Sequence, residues 1–329
     1  MFALFMLADR FSPSKVFLIC ALLAALSNLY LLSETLTKWG ILIARFGTGF
    51  FLAGIYPVGM KIAADYYEKG LGKALGFLVG ALVLGTAFPF LLNGTDFGKN
   101  PVLIITSTSA LTAMGGILLF LFVPNGPFRK RSAQLQLSAG FELFTLVNFR
   151  KAAFGYFGHM WELYAFWAFT PFAIQSYNLI SGTSLSVPLW TGIIITLGAI
   201  SCALGGLLSQ RYGSKKVAFT ALVISGLCCL ISPLFFQSNA IFFLSGWCIW
   251  GMAVTADSPQ FSNLVATAAP AQLKGTGLTL VNCIGFAITI GSIQLLAIFS
   301  ESLSPEYAFL VLAIGPLFGL WQLSGHKND

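Results

Sequence analysis

Charge is scarce in this chain. Only 9% of its 329 residues are Asp, Glu, Lys or Arg, against about 25% in soluble globular domains. Together with 57% hydrophobic residues, that shortage excludes a water-soluble fold. The formal net charge of +7 belongs to the short loops between apolar stretches, so no nucleic-acid partner is expected. The six cysteines, Cys20, Cys202, Cys228, Cys229, Cys248 and Cys283, form no CxxC pair and no Cys/His cluster. A disulfide framework and a zinc site are therefore unsupported, and neither metal nor cofactor is expected. A nucleotide-binding loop of the form G-x-x-x-x-G-K-[ST] is missing too. Gly70-Leu71-Gly72-Lys73 lacks its spacing, so this chain supplies no ATP site. The longest polar connection, 124–151, is too short for a separate soluble domain. An enzyme would need nucleophile, acid and base groups converging at one place; the few acids here are dispersed, and an enzyme is not expected.

What fills the chain is apolar sequence of helix-spanning length. About 20 residues of helix cross a hydrocarbon core of roughly 30 Å. Ten stretches meet that length: 14–33, 39–61, 72–93, 101–123, 152–178, 187–209, 216–236, 240–267, 274–299 and 304–324. Their loops sort charge by side. With the loop Asp9–Lys15 placed in the cytoplasm, Arg10, Lys15, Lys61, Lys69, Lys73, Arg129, Lys130, Arg131, Arg150, Lys151, Arg211, Lys215, Lys216, Lys274 and Lys327 all fall on that side. Only Lys38 and Lys99 fall opposite, and Arg45 lies within a span. The positive-inside rule reads this bias as orientation. It predicts a multi-pass protein of the cell (inner or plasma) membrane with both ends cytoplasmic and the lipid bilayer as its solvent.

The chain repeats itself. Asp9-Arg10 followed by Lys15-Val16 recurs 201 residues later as Gln210-Arg211 followed by Lys216-Val217. Gly49, Pro57 and Ala64 recur 202 residues later as Gly251, Pro259 and Ala266. Two copies in the same orientation form a parallel repeat, related by an axis along the membrane normal. The expected division is an N-terminal half over 1–123, a cytoplasmic linker over 124–151 and a C-terminal half over 152–329. The linker carries Arg129-Lys130-Arg131, Gln134 and Gln136. The second half holds six spans; the first holds four and the short stub Met1–Ala8. The stub reads as the end of a helix whose beginning is missing, which leaves the first helix and most of the second absent.

These residues resemble the major facilitator superfamily. Gly206-Leu207-Leu208-Ser209-Gln210-Arg211-Tyr212-Gly213-Ser214-Lys215-Lys216 is similar to that family's loop signature G-x-x-x-D-R-x-G-R-K, with Gln210 in place of the acid. The first copy, Asp9-Arg10-Phe11-Ser12-Pro13-Ser14-Lys15, keeps the acid and arginine but has Phe5 and Ser12 where the glycines stand. Arg45 with Gly49 resembles the family's fourth-helix motif and its intramembrane arginine. Ala53-Gly54-Ile55-Tyr56-Pro57-Val58-Gly59-Met60-Lys61, the Gly76/Gly80/Gly85/Pro89 stretch, Gly158-His159-Met160-Trp161-Glu162-Leu163-Tyr164 and Ala256-Asp257-Ser258-Pro259-Gln260-Phe261 look most like nitrate/nitrite- and cyanate-porter-like bacterial members. The span 187–209 lacks the substrate arginine of true nitrate porters, and Gly80–Gly85 lacks their Asn. The resemblance implies an all-α membrane protein, a two-half helical bundle working by alternating access.

A charged residue inside a span costs about 2.5–3.5 kcal/mol on insertion scales, so it is a functional candidate by default. Arg45, Glu162 and Asp257 are the three. His159 precedes Glu162 by three residues and shares its helix face, with Tyr164 and its neighbouring tryptophans beside them. Glu162 is expected to load and unload protons. Arg45 is expected to clamp a carboxylate-like solute bidentately or to pair with a carboxylate such as Glu162. Asp257 stands before Ser258-Pro259, where Pro favours a helix break. It either caps the next half-helix or joins the pathway with Gln260 and Asn282. Asp9, Arg10, Lys15, Arg211 and Lys215 make the candidate cytoplasmic gate, closing by charge pairs between helix ends. The expected function is secondary active transport of a small anionic solute with protons. Drug or metabolite efflux by proton antiport and a non-transporting truncated chain are the alternatives. No oligomer is implied.

Overall fold

Apolar stretches this long become helices because the helix satisfies its own backbone donors and acceptors, which lipid cannot do. The computed structural model of the protein describes residues 7–93, 95–130 and 139–324. Most of the stub, residues 131–138 of the linker (with Arg131, Gln134 and Gln136) and Lys327 lie outside them. The described residues are helical with no strand. In chain order the helices are α1 (Leu7–Arg10), α2 (Pro13–Leu29), α3 (Lys38–Leu52), α4 (Tyr56–Tyr66), α5 (Leu71–Leu92), α6 (Pro101–Phe122), α7 (Ala139–Glu142) and α8 (Val147–Ser181). Then come α9 (Val187–Tyr212), α10 (Ser214–Phe236), α11 (Ala240–Ala256), α12 (Ser258–Ala268), α13 (Lys274–Ser302), α14 (Pro305–Ala308) and α15 (Ile314–Ser324).

Nine of the described helical segments are long and apolar enough to cross a membrane. The remaining expected span, 152–178, lies inside α8, whose 35 residues make about 52 Å of helix at 1.5 Å per residue. The polar residues that make α8 interesting also lower its hydropathy. Two expected spans are broken rather than continuous. Lys38–Tyr66 divides into α3 and α4, and Ala240–Ala268 into α11 and α12. Each break falls just before a repeat-related proline, Pro57 and Pro259, whose missing N–H suits the first turn of a new helix. Caps mark other helix starts: the side chains of Thr37, Asn100 and Asn239 accept from Gly40 N, Leu103 N and Phe242 N at 3.1, 3.1 and 3.0 Å, filling otherwise orphaned first-turn donors.

Two compact units emerge from the packing. The first comprises Met1–Lys69, Gly94–Thr145 and Ala269–Asn282. Here α2 packs along α6 and against α3 and α4. Gly116 lets α6 approach α2, since a Cβ there would meet Ala21 Cβ at 2.6 Å. Val16, Cys20, Val58 and Ile62 form its apolar centre. The second unit comprises Gly70–Asn93, Leu146–Ala268 and Cys283–Asp329. An aromatic column runs through it: Tyr177 stacks on Phe243 at 4.0 Å, Phe243 on Trp247 at 4.7 Å, and Trp250 lies 4.8 Å from Phe166.

Helix α5, which the repeat places in the first half, makes its main contact with α9 of the second. Glycine spacing is the reason. Gly72, Gly76 and Gly80 repeat every fourth residue on one face. A Cβ on Gly76 would lie 2.7 Å from Cys202 O and 2.9 Å from Gly206 Cα, and one on Gly80 would lie 2.9 Å from Ala199 O. Backbones this close are held by van der Waals contact and weak C–H···O bonds between small residues. Gly76→Leu is expected to push α9 away and lower stability by about 1–3 kcal/mol. Melting in detergent reads the change, and Gly85→Leu is the control, because a Cβ at Gly85 meets nothing within 4 Å. Equal melting of the two variants would refute the close packing.

Candidate functional site

The polar face of α8 divides into two clusters. His159 and Glu162 are both fully buried, three residues apart. His159 Nδ1 lies 2.8 Å from Asp257 Oδ1, between the rings of Tyr156 and Phe261 at 5.6 and 6.1 Å. Asp257 occupies the break between α11 and α12. Its main-chain carbonyl accepts from Phe261 N at 2.9 Å and so begins α12, while its carboxylate turns to His159. The two readings of this residue, helix start and polar pathway, therefore belong to different atoms. The acid and base are each the other's nearest ionisable group at this contact. That is how a carboxylate persists without solvent.

Glu162 faces α10 and α11. One oxygen accepts from Trp250 Nε1 at 2.6 Å and Cys229 Sγ at 3.2 Å, and the other from Ser225 Oγ at 3.0 Å. Three donors hold the anion. Two of them, a hydroxyl and a thiol, can rotate to accept from the acid instead, so the same cage serves both protonation states. Tyr164 is half-buried and packs edge-on against Trp167 at 5.2 Å, with Phe286 at the same distance. Asn282 is buried on α13 and donates to Leu278 O of its own helix at 2.8 Å.

Gln260 is not brought to this group. Its amide oxygen sits 3.2 Å from where a Cβ on Gly72 would lie, in company with Ser209 and Ser214. Asn263, one turn on, donates to Ser214 Oγ at 2.7 Å. Gln260 thus belongs to the junction of α5, α9, α10 and α12 at the basic-loop end. It is fully buried, and neither atom of its amide finds a partner among the described residues.

Arg45 is exposed on α3 and donates from Nη1 to Asn28 Oδ1 at 3.5 Å. Asn28 in turn donates from Nδ2 to Ser109 Oγ at 3.0 Å and Thr108 Oγ1 at 3.2 Å. The partner of the arginine is a neutral amide tied to α6.

Of the gate residues, the acid does the holding. Asp9 Oδ1 accepts from Gly275 N at 3.0 Å, and Oδ2 accepts from Thr276 N and Thr276 Oγ1 at 2.6 and 2.7 Å. These are first-turn groups of α13, where orphaned N–H donors and the helix dipole favour an anion. Lys61 Nζ lies 3.9 Å from Asp9 Oδ1 and bonds Asp65 one turn along α4. The charge pattern of the sequence places Lys61 with the loops; it is instead fully buried inside α4, because it has these two carboxylates to neutralise it. Burial pushes the Asp9 carboxyl above its ordinary range, with Lys61, Thr276 and Gly275 pulling back against it. Arg10 and Arg211 lie over the rings of Phe11 and Tyr212 at 5.8 and 5.3 Å, and Lys15 and Lys215 are exposed. Within the first unit, the interaction at this corner is one carboxylate on a helix end. The start of the linker straps the same corner: Tyr66 Oη donates to Pro124 O at 2.6 Å, Phe128 N to Asp65 O at 3.0 Å, and Ser12 Oγ to Asn125 Oδ1 at 3.0 Å.

Sequence reasoning missed Asn28, Lys61, Asp65, Ser225, Cys229, Trp250 and Thr276. The i,i+4 spacing of Lys61 and Asp65 was the one local signal available. The others are common residues of apolar helices whose role appears only across helices.

Similarity to known proteins agrees with this architecture. Residues 1–292 match the sequence pattern of the Major Facilitator Superfamily. No curated protein sequence matches significantly. The human organic anion transporter MFSD10 (TETRAN) superposes with a TM-score of 0.78 at 16% identity, covering 98% of this chain and 81% of its own. The E. coli fucose:proton symporter FucP gives 0.72 at 14% identity, covering 99% and 87%. A bacterial homologue of the iron transporter ferroportin, in its outward-facing state, gives 0.69 at 13% identity, covering 98% and 86%. Identities this low speak for the fold alone.

Asp9→Asn keeps the shape of the carboxyl but removes its charge and turns an NH2 toward the donors of α13. Losing an anion at a helix N-terminus weakens the contact by about 1–2 kcal/mol. Hydrogen–deuterium exchange of the amides of Gly275 and Thr276 should accelerate roughly tenfold, the factor that 1.4 kcal/mol sets. Unchanged exchange would mean that Asp9 does not hold α13.

Proposed function

Since the chain belongs to the Major Facilitator Superfamily, we propose that it is a secondary transporter of the cell membrane that moves a small anionic solute together with protons. Its basic loops lie in the cytoplasm, and its two repeat-related halves, with the 124–151 linker between them, alternate access to a site near the bilayer midplane. The observation that carries the proton coupling is the His159–Asp257 contact, 2.8 Å long and fully buried at a helix break. Glu162 stands one turn along in a cage that serves acid and anion alike. A proton entering this group changes its net charge in a medium that solvates charge poorly. The protein conformation that best solvates the new charge is then favoured, which is the physical content of coupling. The paired helix breaks before Pro57 and Pro259 support a pathway there, as interrupted helices do in transporters.

For the solute, Arg45 supports an anion. Its guanidinium is exposed and its hydrogen bond goes to a neutral amide, so its positive charge is not neutralised by that partner. A planar carboxylate or oxyanion fits the remaining fork. The nitrate/nitrite- and cyanate-porter-like character of the sequence, and the organic anion transport and proton symport for which MFSD10 and FucP are named, agree with this reading.

Proteoliposomes holding the purified chain test it with radiolabelled nitrate, cyanate, formate and acetate. An inward proton gradient should drive accumulation of at least one of them. Glu162→Gln and Asp257→Asn should each abolish that accumulation while leaving solute exchange at zero gradient. Arg45→Lys should impair uptake as severely as Arg45→Ala, because both lose the bidentate fork. Gradient-independent uptake in the wild type, or full accumulation in the acid variants, would end the proton reading. Wild-type uptake by both Arg45 variants would end the anion-clamp reading.

A further inference from the structure

An apolar trough of about 590 Å³ opens on the second unit, where α9 and α11 flank α10. Its floor is made of small residues, Gly205, Ala221 and Ala253, and its walls include Leu204, Leu208 and Ile249. Those three wall residues are 47%, 51% and 53% exposed, so the trough opens sideways rather than into the bundle. Along α9 it runs from Ser201 to Tyr212, about 16 Å at 1.5 Å per residue. That is roughly one leaflet of a 30 Å hydrocarbon core.

Charge is found at one end only. Lys216 and Tyr212 close the basic-loop end of the trough, and the exposed Arg211 and Lys215 adjoin them. Tyr there is of the kind that anchors at the headgroup level. Basic residues clustered at a gap between helices, on the side of the basic loops, recruit anionic headgroups. We infer that this trough binds one anionic phospholipid, with an acyl chain lying between α9 and α11 and its phosphate on Lys216 and Arg211.

The commitment to a lipid follows from length and charge. A neighbouring transmembrane helix would need a contact face across both leaflets, and it would leave the cationic end without a partner. A neutral lipid fills the apolar part equally well but gives nothing to Lys216 and Arg211. The site also has a structural consequence. Its wall residue Ser201 donates to Met252 O at 2.7 Å and meets Thr255 Oγ1 at 2.9 Å. Ala256, which also lines the trough, immediately precedes Asp257. A bound chain therefore braces the last turn of α11 just before its break. The inference needs the bilayer but not the transport reading.

Native mass spectrometry of the full chain in detergent, with dioleoyl phosphatidylglycerol or dioleoyl phosphatidylcholine added at equal concentration, tests it. Phosphatidylglycerol should remain bound at a stoichiometry near one and raise the melting temperature; phosphatidylcholine should do neither. Lys216→Ser and Arg211→Ser, both at exposed positions, should each lower retention roughly fivefold, as loss of one cation near a membrane surface does. Leu208→Ser, on the exposed wall, should weaken retention of the chain without altering headgroup preference. Equal retention of the two lipids, or phosphatidylglycerol retention indifferent to Lys216→Ser and Arg211→Ser, would overturn the assignment.

Discussion

Lipid offers no hydrogen bonds, and nearly every feature of this protein answers to that constraint. A helix can be interrupted inside a membrane only where something else satisfies the freed backbone groups. Both interruptions here are placed before prolines, so one donor is already absent at each. At the α11/α12 break, the carbonyl of Asp257 begins the next helix and its carboxylate meets His159. The same constraint explains where buried ionisable groups stand. Glu162 has three donors, Asp257 has an imidazole, and Lys61 has two carboxylates. None of these is stable alone in hydrocarbon, and a partner is what allows each to be kept.

The two copies of the repeat solve one mechanical problem with different chemistry. In the first, Asp9 meets the N-terminal turn of α13 and Lys61 of α4 stands behind it. The repeat carries Asp9 onto Gln210 and Lys61 onto Asn263. In the second copy a Cβ on Gly70, at the start of α5, would lie 3.5 Å from Gln210 Nε2, and Asn263 donates to Ser214 Oγ. Acid and base have been neutralised together. This is what a low-dielectric corner demands: losing Lys61 alone would strand Asp9, and losing Asp9 alone would leave Lys61 with Asp65 in an altered balance. A neutral pair forgoes the charge–dipole attraction, and beside it the second copy has the backbone-close glycine contacts of α5 on α9.

Hydropathy, proline and loop charge made most of the fold legible, because each is a one-dimensional signal. Spans lie within a few residues of where they were expected, and the break at Asp257 falls where Ser258-Pro259 placed one. Partners were not legible. Asp9 stands out in a loop signature, but the groups that hold it are main-chain N–H donors of Gly275 and Thr276, which no side chain advertises. Glu162 stands out as a lone acid, while Ser225, Cys229 and Trp250 lie 63 to 88 residues away and are ordinary members of apolar helices. Gln260 was grouped with Asp257 by nearness in sequence. The turn of α12 carries its side chain to the basic-loop end instead. Lys61 was counted with the loops because a lysine at a span boundary looks solvated until its carboxylates are found.

The two copies are held by forces of different range. A carboxylate on a helix N-terminus pulls over several ångströms, so the Asp9 contact weakens gradually as α13 withdraws. Contacts between glycine backbones act only at touching distance and are lost almost at once when α5 leaves α9. The first kind of contact depends on the charge of a buried carboxylate, and the second depends on shape alone. One contact is thus electrostatic and the other steric. The copy that kept its acid is held by charge on a helix end, and the neutral copy by the touching backbones of α5 and α9.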